Sequence, residues 1–289
     1  MTFRNSLGWV AATALLVGAG AFAKGGGATT DGGSGKGGGK TTLPGPTPTP
    51  TPSPTPAPTP TPTATALPPL DLSAMRLWNY AGLWHASEWD NANSAIPWRY
   101  NRVTQPVLGD TYFVLDGTGA PQLQGVDAMP AYSAGLWEAE ATLPTLRDGV
   151  IVAPLWLYNS TTRDEVDFEL AGRKGLDVTI HAWPNGVHKS QTVRYFAGTD
   201  FSGKRVRFGI RMDQASGFAE MYVNGALIHR WDRAKLGYFP ASPVKPWLEM
   251  WAANPANTGF VQWAGQFTPF QTGESMKMTV HGYKYTPLP

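Results

Sequence analysis

Residues 164–170 read Asp-Glu-Val-Asp-Phe-Glu-Leu. In an extended strand, successive side chains point to opposite faces. Glu165, Asp167 and Glu169 then share one face, and Val166, Phe168 and Leu170 the other. The apolar face belongs in a core, so the acidic face lies in solvent or in a cleft. Three carboxyls at two-residue spacing repel one another and shift one another's proton affinity, which suits acid–base chemistry. A surface selected for stability alone would mix in Lys or Thr. Two carboxyls set across a glycosidic bond can hydrolyse it, with retention at about 5–5.5 Å and inversion at wider gaps. On a flat strand the Cα atoms of Glu165 and Glu169 stand about 13 Å apart, at ~3.3 Å per residue. Both carboxyls must lean inward over a concave strand to reach the retaining distance.

The surrounding sequence predicts the strands that would hold this group. Short runs rich in aromatic and β-branched residues recur at 111–115, 135–142, 150–158, 165–170, 177–183, 206–212, 219–223 and 276–285, broken by Gly, Pro, Asn and Asp. Asn224-Gly225 is the strongest hairpin signal, because both residues accept the positive φ of a tight turn. Pro184-Asn185-Gly186 is a second turn. No long stretch keeps a helical period. Many strands with regular turns in about 220 residues predict an all-β, two-sheet sandwich.

The 289 residues divide by composition. Residues 1–23 read as a signal peptide: Arg4 is the positive start, Leu7 to Phe22 the uncharged apolar run, and Ala21-Phe22-Ala23 the cleavage site. Residues 24–69 read as a linker, Gly-rich to Lys40 and then alternating Pro with Thr, Ser or Ala. Its Pro-rich part favours extended polyproline II and spans on the order of 60 Å at ~3.1 Å per residue. Residues 70–289 form the domain, with no further stretch apolar enough to span a membrane. The expected location is therefore secreted, periplasmic or cell-surface. The chain has no Cys, which excludes disulfides, a thiol nucleophile and Cys-ligated metal. Four of the 23 basic and one of the 21 acidic residues precede residue 70, leaving 19 against 20. A domain this neutral lacks the basic footprint of a nucleic-acid binder. No Gly-rich loop opens a helix to hold phosphate, and Gly-x-Ser-x-Gly is absent. The five His show no zinc-like spacing and read as ordinary polar or cleft residues.

Glu165-Val166-Asp167-Phe168-Glu169 resembles the E-x-D-x-E signature of glycoside hydrolase family 16. Tyr132 to Glu138 resembles that family's Tyr-x-Gly-x-x-Glu strand, and Pro184-Asn185-Gly186, Met221 to Gly225 and His229 fall at matching spacings. Pro243 to Trp251 resembles the strand ending in a cleft Trp, and Tyr283-Lys284-Tyr285 the terminal strand. The resemblance covers nearly all of residues 70–289 and is strongest for the lichenase-like and exopolysaccharide-depolymerase branches. It implies a β-jelly roll with a concave sheet forming an open, endo-acting cleft. It implies Glu165 as nucleophile, Glu169 as acid/base with a pKa raised to about 6, and Asp167 between them as the residue that tunes both. It also implies substrate contacts by Trp183, Trp251, Trp263 and Glu138, since Trp rings stack on the C–H faces of sugars.

The departures bear on substrate. Arg163 stands where lichenase-like members carry Trp, Glu140 where they carry Arg, and His181 where they carry Asn. Arg163 would favour an acidic or substituted polysaccharide such as a bacterial exopolysaccharide. The expected activity is retaining, endo-acting hydrolysis of a β-linked polysaccharide, by a monomer with no required cofactor and room for a structural Ca²⁺. Two alternatives stay open: a transglycosylase remodelling a surface polysaccharide, and a non-catalytic lectin-like domain on a stalk. A binder would have no need of two opposed ionisable Glu residues.

Overall fold

The computed structural model describes residues 83–288 apart from 108, 126 and 127, so the leader and linker assigned to 1–69 lie outside the described residues. Fourteen strands are named in chain order. They are β1 (Trp84–Ala86), β2 (Val103–Val107), β3 (Asp110–Asp116), β4 (Gln122–Gly125), β5 (Ala134–Thr142), β6 (Val150–Tyr158) and β7 (Glu165–Ala171). There follow β8 (Leu176–Ala182), β9 (Lys189–Tyr195), β10 (Arg205–Asp213), β11 (Phe218–Val223), β12 (Ala226–Asp232), β13 (Lys245–Ala252) and β14 (Ser275–Thr286). Two short helices, α1 (Arg233–Leu236) and α2 (Thr258–Ala264), flank β13. No helix among the described residues is long and apolar enough to cross a membrane.

The strands form two seven-stranded antiparallel sheets. The first runs β1-β4-β13-β6-β7-β8-β9, the second β12-β11-β10-β5-β14-β3-β2. This is the expected jelly-roll sandwich. Alternation builds its core. Val166, Phe168 and Leu170 of β7 and Val178 and Ile180 of β8 are fully buried. They face Trp137 and Ala139 of β5 and Phe208, Ile210 and Met212 of β10. Phe168 meets Phe208 edge-on between the sheets, with ring centroids 5.2 Å apart. Burying one such aromatic side chain contributes roughly 1.5–3 kcal/mol.

Both expected turns use the left-handed conformation. Asn224 has φ 51° and Gly225 φ 80°, and Asn185 and Gly186 have φ 54° and 75°. Such consecutive positive values match the twist of the strands they join. β6 is buried along its whole length, because one face meets the core and the other a second aromatic cluster of Trp156, Tyr158 and Trp247. Register shifts interrupt β6 against both β7 and β13. Such bulges bend a strand and re-aim its side chains.

Candidate active site

The carboxyl strand β7 lies between β6 and β8, and its partners fix what stands beside each acid. Glu165 pairs with Tyr158 and His181, Asp167 with Trp156 and Thr179, and Glu169 with Asp177. β9 extends each rung with Ser190, Thr192 and Arg194. On the other side β13 brings Trp247 beside Trp156 and Glu249 beside Ala153. All these side chains share the outer face of the first sheet. The acids thus lie between an aromatic half, on β6 and β13, and a hydroxyl-bearing half, on β8 and β9. Trp156 packs on Trp247 at 4.9 Å and on Tyr158 at 5.4 Å between ring centroids. Thr179 and Thr192 share a hydrogen at 3.1 Å.

Asp164 pins the start of β7. It is buried, and its Oδ2 accepts from the backbone N–H groups of Ala241 and Ser242 at 2.9 Å each. At the same turn Arg163 adopts φ 64°, and its guanidinium lies 5.2 Å over the Trp183 ring. The Trp183 indole N–H donates to the Arg163 carbonyl at 3.1 Å. Trp183 also packs on His188, whose Nε2 lies 3.0 Å from Nδ1 of His181. That contact fixes the His181 ring and leaves its Nε2 facing Asp167 Oδ2 at 3.5 Å. Arg163, His181 and Trp183 therefore gather at the Glu165 end of the acid strand.

The site is electrically lopsided. Burial pushes Glu165 up to about 8, against the pull of His181, with Asp167 and Glu249 adding to the rise. Burial also raises Glu169 well above the carboxylate range, and Asp167, Glu165, Asp177 and Glu249 all push it the same way. Asp167 is raised by burial while His181 and Thr179 pull it down. It is only 1% exposed, and neither of its oxygens has a closed hydrogen bond. Burial alone would lower His181, but Asp167 and Glu165 outweigh it and hold the imidazole above its ordinary value. An imidazole thus stands beside Glu165, and further carboxyls surround Glu169. Ligand-type atoms of Glu165, Asp167 and His181 lie within 4.8 Å of one another.

The remaining expected contacts divide. Trp263, on α2, reaches the Glu169 end, where its indole N–H donates to Asp177 Oδ2 at 2.7 Å. Trp251 shares the outer face but is only 4% exposed, because α2 lies over it and packs Phe260 and Trp263 against its ring. It supports Trp263 and has no face open to a sugar. Glu138 is not in this group. It lies on β5 of the second sheet, one residue from the core residue Trp137, so its side chain points from the opposite side of the sandwich. There it is 2% exposed and pairs with Arg207 at 3.3 Å, with Lys284 nearby.

The sequence reading passed over Trp156, Tyr158, Trp247, Glu249, Asp177 and Thr179. Each carried a signal. Asp177, Thr179 and His181 alternate as the β7 acids do, and Trp247, Glu249 and Trp251 repeat the spacing. Glu249 is pushed by burial to about 7, against a hydrogen bond from Gln122. Gln122 in turn accepts from Ser87 Oγ at 2.6 Å and from the Trp89 indole at 3.1 Å, which extends the polar surface toward the sheet edge.

Comparison with known proteins bears on the fold and the family. No curated protein matches the chain by sequence. Solved structures share its fold. The β-glucanase of Bacillus licheniformis is 20% identical, with a TM-score of 0.59 over 74% of this chain and 97% of that one. A family 16 endo-glucanase from Bacteroides ovatus is 14% identical, with a TM-score of 0.60 over 73% and 97%. The laminarinase catalytic domain of Thermotoga maritima is 17% identical, with a TM-score of 0.56 over 72% and 92%. At such identities the likeness establishes the sandwich and nothing finer. The sequence description "Glycosyl hydrolases family 16" matches residues 120–272, which hold the whole acid strand and both of its neighbours. That match spans more than half of the chain, and the chain belongs to glycosyl hydrolase family 16.

Proposed function

We propose that this glycoside hydrolase cleaves a β-linked polysaccharide internally and with retention, through a covalent glycosyl-enzyme. The observation that carries the reading is the asymmetry of the acid strand. His181 favours the carboxylate form of Glu165, while the carboxyls around Glu169 favour its protonated form. A nucleophile and an acid need that difference. In the first step a Glu165 oxygen bonds to the anomeric carbon, the glycosidic C–O bond breaks, and Glu169 gives its proton to the departing oxygen. In the second, water attacks the same carbon, its proton passes to Glu169, and the Glu165 ester bond breaks. Asp167 stands between them with two buried acceptor oxygens and no closed hydrogen bond, which suits it to accept from a sugar hydroxyl.

The same face supports internal cleavage. Trp156 and Trp247 lie on one side of the acids, and Thr179, Thr192 and Ser190 on the other. We take a polymer to run across this face, past the acids in both directions. We take the substrate to be a β-glucan or a bacterial exopolysaccharide, met outside the cytoplasm because residues 1–23 have the form of an export signal. The test is reducing-sugar release and product sizing on mixed-linkage glucan, β-1,3-glucan, xyloglucan, galactans, succinoglycan and sphingans, with wild type beside Glu165→Gln. Oligomers released from one polymer by wild type only support the reading. Tight binding with no release by either protein would make the domain a lectin.

A further inference from the structure

Asp177 stands directly opposite Glu169 in the β7–β8 register, on the same face and 1% exposed. Two facing carboxyls ordinarily compete for one proton. Here the competition is biased by donors that reach only Asp177. Arg194 Nε donates to Oδ1 at 2.7 Å and Arg194 Nη2 to Oδ2 at 2.6 Å. The Trp263 indole N–H adds a third bond to Oδ2 at 2.7 Å. The guanidinium fork and the indole N–H thus all close on Asp177. Charged and titratable groups face Glu169 from its own strand (Glu165 and Asp167), from β8 (Asp177, with His181 two rungs away), from β13 (Glu249) and from β9 (Arg194, through Asp177). β6 offers the uncharged Ala153 and α2 the neutral Trp263. Arg194, the cation on this rung, is thus spent on Asp177.

We propose that the Asp177–Arg194 pair, locked by Trp263, is a positioning device that places the catalytic proton on Glu169 and denies it to its neighbour. This deepens the acid/base reading of Glu169 and rests on it. Asp177 touches neither the bond being cleaved nor the leaving oxygen and acts through Glu169. The device makes opposite demands on its two halves. Removing the negative charge with Asp177→Asn takes away a repulsion and leaves Arg194 free to attract the Glu169 anion, so Glu169 holds its proton less tightly. Removing the cation with Arg194→Met leaves Asp177 uncompensated, so the proton is held more tightly and is shared between the two carboxyls.

The test is a carboxyl ¹³C NMR titration of the full domain labelled at Glu, with the Glu169 signal assigned by its loss in Glu169→Gln. The Glu169 midpoint is expected to move toward acid in Asp177→Asn and toward alkali in Arg194→Met, by about one pH unit each. The alkaline limb of kcat/KM should follow in the same two directions. A purely structural pair would lower melting temperature and kcat in both variants without moving the midpoints apart. Midpoints that stay put, or shift the same way, overturn the proposal. If Asp177→Asn does not fold, Arg194→Met decides alone: an alkaline shift upholds the proposal and an unmoved midpoint rejects it. The titration needs no substrate, so a wild type inactive on every polysaccharide would sink the catalytic reading while this readout still judged the pair.

Discussion

In the proposed mechanism a single imidazole separates the roles of two otherwise similar glutamates. His181 is oriented by His188, faces Asp167, and is held above its ordinary value by Asp167 and Glu165 against the opposing effect of burial. The proposed roles require Glu165 ionised and Glu169 protonated. The rate should climb as pH rises through the Glu165 ionisation, near 8, and fall only when Glu169 loses its proton at higher pH. The kcat/KM profile should therefore peak on the alkaline side of neutrality, and a peak near pH 5 would contradict the assignment. Glu169→Gln should lower kcat on polymer by about 10²–10⁴-fold. It should spare the first step with an aryl glycoside whose leaving phenolate needs no proton. Glu165→Gln should abolish turnover of both. Stopped assays on the two substrates separate these outcomes. The acid strand itself was fully legible in sequence, because two-residue alternation is a local property. His181 was legible as a cleft residue but not as the imidazole beside Glu165, since its orientation depends on His188, seven residues on across a turn.

Among the elements, strands with strong apolar alternation were read almost to the residue. The run 150–158 coincides with β6, and 165–170 falls one residue short of β7. β9 was missed because it is an edge strand, Lys-Ser-Gln-Thr-Val-Arg-Tyr, with most of its residues exposed or half-exposed and no apolar face to read. Its loss hid Arg194. Glu138 shows the complementary limit. Its strand was recognised, but which of the two sheets β5 joins is decided by long-range pairing with β10 and β14, which no local pattern encodes. α2 is too short to show a period. It is held by Asn257, whose side chain accepts from the N–H groups of Gly259 and Phe260 at 3.0 and 3.3 Å. Asn257→Ala should lower stability by about 1 kcal/mol. Because α2 carries Trp263, the same change should raise KM for polymer more than it lowers kcat. Thermal melts and steady-state kinetics on one preparation check both effects, and an unchanged KM would detach α2 from substrate binding.

Across the whole molecule, the site is a place where function opposes stability. The folded Glu165 holds its proton to about 8, whereas the ordinary value is 4.5. Between those values the folded state keeps a proton that the unfolded chain has released, so stability falls as pH rises across that window. Glu165→Gln removes this loss. Its melting temperature should equal that of wild type near pH 5 and exceed it near pH 9, by about 2–4 °C per kcal/mol recovered. A variant less stable than wild type at both pH values would show that the carboxyl is structural. The outer face of the second sheet is arranged differently. Glu138, Glu140 and Glu220 are each matched there by Arg207, Arg205, Arg211 or Arg230, so its acids are paired where those of β7 are crowded.

The account stands most directly on Glu165 forming a bond to the sugar, and product stereochemistry reads that step. With the polymer found by the substrate panel, proton NMR of the anomeric signals in the first minutes of reaction identifies the product before mutarotation. The account predicts that the β-anomer appears first and the α-anomer grows in later. An α-anomer formed first would mean direct attack by water, and would remove Glu165 from the role of nucleophile.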